Sequence, residues 1–180
     1  MKKFSIKSKV ILGLVLLVTA SSLSSCLKNG QYAINFSDVS ASIDLPLSAA
    51  NSNGPVEFDY DSTTTSASIP VYVNVASPST LSKAVTATIA IDSAYLTSYN
   101  AANGTNYILP PASGYTVSTF SLTVPAGQRL DSANVTFDFT KFNITDTSKA
   151  YALPFTISSA SIPIEQWNHL ILYVVVPPAD

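Results

Sequence analysis

Apolar and polar residues alternate along most of this chain in the two-residue rhythm of a β-strand. The rhythm is present in Tyr32 to Phe36, Val56 to Tyr60, Ile69 to Val75, Ala84 to Ile91, Thr119 to Val124 and Ser132 to Phe139. Tyr151 to Ile157 and Leu170 to Val176 are more continuously apolar. Ile43 to Leu47 reads as a short edge strand limited by Pro46, and Asn51 to Pro55 as a turn. The period lengthens once. Asp92 can cap a helix over Ser93 to Ala102, with Tyr95, Leu96 and Tyr99 on one side and Gly104 at the C-cap position. About eight short strands between turn residues, each half-buried, call for two packed sheets. The expected fold is all-β: an antiparallel sandwich with one short helical insertion. Ile171 to Val176 suits either a central strand or an edge offered to a partner.

The first residues follow another rule. Lys2, Lys3, Lys7 and Lys9 precede an apolar core from Val10 to Ala20, and small residues fill Ser21 to Ser25 apart from Leu23. That is the layout of an export signal. The apolar core is too short for a membrane-spanning helix, which needs roughly 20 residues. Leu23-Ser-Ser-Cys26 resembles a lipobox, and Cys26 is the only cysteine. The expected organisation is a signal peptide over residues 1–25, a lipidated tether over 26–31 and a sandwich over 32–180. Acyl chains on Cys26 would hold the protein to a membrane. Leu27, in place of a retaining aspartate, points to the outer membrane and leaves open which side it faces.

From Cys26 onward the chain has five basic residues against eleven acidic ones, a net charge of −6. Nothing here offers a basic footprint for a nucleic-acid backbone. With one cysteine, no disulfide can form within the chain, so the fold must rest on its apolar core.

The stretch from Ile69 to Ala160 is similar to a domain of unknown function common in Bacteroidota surface lipoproteins. The resemblance lies in Val73 to Pro78, Leu81-Ser-Lys83, Val85 to Ile91 and Val124 to Gln128, and above all in Tyr99 to Tyr107 with Leu109-Pro110 and in Tyr151 to Ala160. It implies an immunoglobulin-like sandwich that in relatives stands before glycan-degrading or glycan-binding modules of polysaccharide-utilisation systems. It assigns no catalytic residue.

The side chains present agree with that reading. His169 is the only histidine, so a metal cluster or a catalytic triad could rest on it alone; a strand-entry role suits it better. Glu57, Asp59 and Asp61 would share one strand face and could offer oxygens to calcium, although with Val56, Phe58 and Tyr60 on the other side a solvated face is the simpler reading. No catalytic residue, metal or cofactor is expected. Tyrosine and tryptophan are the candidates for sugar stacking. Tyr95, Tyr99, Tyr107 and Tyr115 gather around the helical insertion with Asn100, Asn103 and Asn106 between them. They could bind a ligand or pin the helix to the sandwich, the second being the simpler reading. Trp167, followed by polar Asn168 and His169, is expected to be the better exposed. The ligand-binding candidates are therefore Trp167, Tyr99 and Tyr107. Asp61-Ser-Thr63, Asp92-Ser-Ala94 and Asp131-Ser-Ala133 resemble an O-glycan acceptor motif of exported Bacteroidota proteins. Two functions remain open: accessory glycan capture, with polysaccharide as partner, or a fimbria-like subunit that pairs with other outer-membrane proteins through sheet edges.

Overall fold

The computed structural model describes residues 39–59, 64–143 and 150–175. Cys26, the stretch Tyr32 to Phe36, and Asp61 lie outside them. Ten strands are described, with two α-helices and two single-turn 3-10 helices. The strands and α-helices are β1 (Ser42–Asp44), α1 (Pro46–Ala50), β2 (Pro55–Asp59), β3 (Ser66–Ala76), β4 (Val85–Ile91), α2 (Ser93–Asn103), β5 (Tyr107–Ile108), β6 (Tyr115–Val117), β7 (Ser121–Val124), β8 (Leu130–Asp138), β9 (Ala150–Ala160) and β10 (His169–Val175).

The strands form two sheets, as the alternation requires. The first runs β1-β3-β8-β6 and the second β2-β10-β9-β4-β7, with β5 added beside β9. Pairing is antiparallel except at β2·β10 and β5·β9, which are parallel. Between the sheets, Val71, Val73, Val75, Ala133, Val135 and Phe137 of the first meet Ile89, Leu153, Phe155, Ile157, Leu170 and Leu172 of the second, all essentially inaccessible to water. The fold is an all-β sandwich.

Two departures from the plain strand reading have local causes. Pro46 stands at the start of α1, where its missing N–H costs nothing, so β1 stops at Asp44 and the chain turns helical. β9 is buried at every residue from Tyr151 to Phe155, because its inner face packs on the first sheet and its outer face lies beneath α2. The same double cover explains the apolar run in β10, which sits between β9 and β2 and is not an edge.

Helix α2 begins and ends as its residues dictate. The Asp92 carboxylate accepts the Tyr95 backbone N–H at 2.9 Å, and Gly104 closes the helix in the left-handed region at φ 66°.

Candidate functional site

Beneath α2, on the outer face of the second sheet, lies a small separate core of Leu96, Ala152 and Ile171, with Tyr95, Tyr99 and Tyr107 packed on it. The residues come from two periodicities. Tyr95 and Tyr99 are four apart on the helix, while His169, Ile171 and Tyr173 are the outward positions of β10. Together they make a row of rings. His169 stacks on Tyr95 at 4.0 Å between centroids, Tyr95 meets Tyr99 at 6.3 Å, Tyr99 meets Tyr107 at 6.3 Å, and Tyr107 meets Tyr173 at 5.0 Å.

Polar contacts fasten the His169 end of the row. His169 Nε2 lies 3.4 Å from the Asp92 carboxylate that caps the helix. The Tyr95 hydroxyl donates to the Asn53 carbonyl at 2.8 Å. Asn53, itself at φ 59°, is the hub of this corner. Its side-chain oxygen accepts from the Ser48 hydroxyl and the His169 N–H, and its amide donates to the Gln166 carbonyl. At the other end Glu57 pairs in register with Tyr173. Burial, then the neighbouring Tyr99 hydroxyl and Asp92, raises the Tyr95 pKa above the ordinary tyrosine value. Burial raises that of Tyr107 too, with Tyr173, Tyr99 and Glu57 adding to it.

The row brings together three of the four sequence-predicted tyrosines. Tyr115 stands apart in β6, paired with Phe137 and packed against the central core. The asparagines serve the turn, as Asn100 receives the Tyr107 N–H and donates to its carbonyl, and Asn103 donates to the Tyr99 carbonyl. The tyrosines thus do pin the helix to the sandwich, and they stay partly exposed. Trp167 is half-buried rather than prominent, because its segment straps β1: Pro163 and Trp167 accept N–H groups of Ile43 and Leu45 through their carbonyls. Among the described residues it shares no ring contact with the row. His169 is the strand-entry residue expected, with partners that were not foreseen. Tyr173 and Asn53 were missed. The alternation of β10 would have found Tyr173, and the Asn-Gly turn at Asn53 signalled its backbone shape but not its contacts.

The comparisons with known proteins bear on this fold. A family model described as an N-terminal domain matches residues 27–164. The chain belongs to that family. No curated protein matches it. Among solved structures, a candidate carbohydrate-binding protein of Bacteroides ovatus shares the fold at TM-score 0.60 and 16% identity, over 76% of this chain and 37% of its own. EndoBT-3987 of Bacteroides thetaiotaomicron, solved with a Man5GlcNAc product, matches at TM-score 0.55 and 26% identity, over 74% of this chain and 30% of its own. An auxiliary nutrient-binding protein of Bacteroides thetaiotaomicron matches at TM-score 0.52 and 18% identity, over 72% and 46%. The chain therefore spans less than half the length of each. This N-terminal-domain family and its structural neighbours agree with the Bacteroidota resemblance read from Tyr99 to Tyr107 and Tyr151 to Ala160.

Proposed function

We propose that this protein is a non-catalytic accessory of glycan capture, anchored to the outer membrane through acylated Cys26. The observation that carries the reading is the half-exposed ring row Tyr99–Tyr107–Tyr173, which ends beside Glu57 and the exposed apolar pair Ile108 and Leu109. Apolar ring surface next to hydrogen-bonding groups is what a sugar needs. Tyr99, Tyr107 and Trp167 remain the residues expected to touch it. The company of the fold supports the reading, since two of the neighbours are described as binding carbohydrate or nutrient. An assembly role through sheet edges has less support, because β10 is interior and the first edge strand, β1, is strapped by residues 163–167.

The test is affinity electrophoresis of the full chain through gels containing single polysaccharides. Retardation by at least one of them, with no new reducing ends released, is expected. Migration unchanged in every gel, or release of sugar, would refute capture without catalysis. Cys26→Ala should move the chain from the membrane fraction to the soluble one.

A further inference from the structure

The outer face of the first sheet, on the opposite side of the sandwich from the ring row, has a composition of its own. Its residues are the outward positions of three strands. Register sets Tyr72 against Ser132, Pro70 against Asn134, and Ser68 against Thr136, with Thr116 of β6 beyond Thr136. Hydroxyls, an amide, the Pro70 ring and one aromatic ring make up the centre. Charge appears only at its ends, at Asp44 beside Asn74 and at Asp138 opposite Ser66.

Tyr72 is the feature that the fold does not explain. It lies on a central strand, is 39% exposed, and has no ring or hydrogen-bond partner among the described residues. Leu130, diagonal to it and 50% exposed, extends the apolar spot. In the row under α2 every tyrosine has a ring neighbour, whereas Tyr72 has none among the described residues. The Asn134 side chain and the Ser132 and Thr116 hydroxyls also have no partner among the described residues.

We propose that this face, centred on Tyr72, is a docking platform for uncharged polysaccharide. The inference rests on the glycan-capture reading and adds a second surface and a ligand class to it. A sugar ring lying on Tyr72 would set its hydroxyls over Ser132 and Asn134, which offer both donors and acceptors. The charge pattern selects the class: the centre holds no cation to pair an acidic polymer, and the chain from Cys26 onward is net negative. Size argues against a protein partner. The face is about 14 Å across its four strands and about 27 Å along the stretch Ser66 to Asn74, a plane of about half the roughly 800 Å² each partner buries in a standard interface.

Detergent-solubilised full chain, run through gels containing mannan, dextran or β-glucan and, separately, polygalacturonate or alginate, tests this. Retardation by a neutral polymer and not by the acidic ones is expected. Tyr72→Ala should weaken it about tenfold, the loss of one stacking contact worth about 1.4 kcal/mol, while Tyr72→Phe keeps it. Tyr72→Phe should melt as the parent does, and Tyr72→Ala somewhat lower yet folded at the assay temperature, because alanine on a strand loses packing and strand preference. Retardation unchanged in Tyr72→Ala, or seen only with acidic polymers, would overturn the platform. If Tyr107→Ala abolishes binding and Tyr72→Ala does not, the platform falls and glycan capture stands. No retardation by any polymer would overturn both.

Discussion

One asparagine holds the corner where α1, α2 and β10 meet. Asn53 sits in the left-handed region that asparagine tolerates better than most residues. Its side chain serves Ser48, Gln166 and the His169 N–H, and its carbonyl receives the Tyr95 hydroxyl. Asn53→Ala would strand the three side-chain partners, keep the carbonyl that receives Tyr95, and add backbone strain. A loss of about 1–3 kcal/mol is expected, since each partner left unsatisfied costs in that range. Urea unfolding measures it, and a midpoint equal to that of the parent would show that the corner contributes little. Tyr95→Phe removes only the hydroxyl donor and should cost less, about 1 kcal/mol.

At the scale of elements, open sheet edges are where one sandwich can pair with another. β7 ends the second sheet, yet two of its N–H groups are already taken. Thr123 donates to the Asp131 carboxylate of β8 at 2.8 Å, and Ser121 to the Thr119 hydroxyl at 3.1 Å. Asp131→Ala would expose the Thr123 donor on an open strand. Stronger self-association than the parent's in sedimentation velocity at high protein concentration is expected, and a variant that sediments as the parent does would assign Asp131 a purely local role. Contacts of this kind explain what the sequence reading could and could not reach. Strand alternation and the Asp92 and Gly104 caps are local signals, so β3, β4, β8 and α2 could be read from neighbours in the chain. The ring row was half legible: helical spacing grouped Tyr95 and Tyr99, but the meetings of Tyr95 with His169 and of Tyr107 with Tyr173 depend on β10 pairing with β2 and β9. Tyr72 looked like one more strand residue, because its exposure is fixed only when β3 lands in the middle of a sheet.

For the whole molecule, the sandwich offers two outward faces of different character. One is crossed by α2 and bears the tyrosine row. The other is flat, polar and uncharged at its centre. Both suit a domain whose family supplies N-terminal modules and whose fold recurs in Bacteroides proteins of longer chain. Capture without chemistry is the central claim. Its most direct test is titration calorimetry of the full chain with the neutral polysaccharide that retards it most, followed by sizing of the recovered polymer. The account predicts a saturable heat of binding and a polymer of unchanged length. Absence of saturable heat with any neutral polysaccharide, or a shortened polymer, would contradict it.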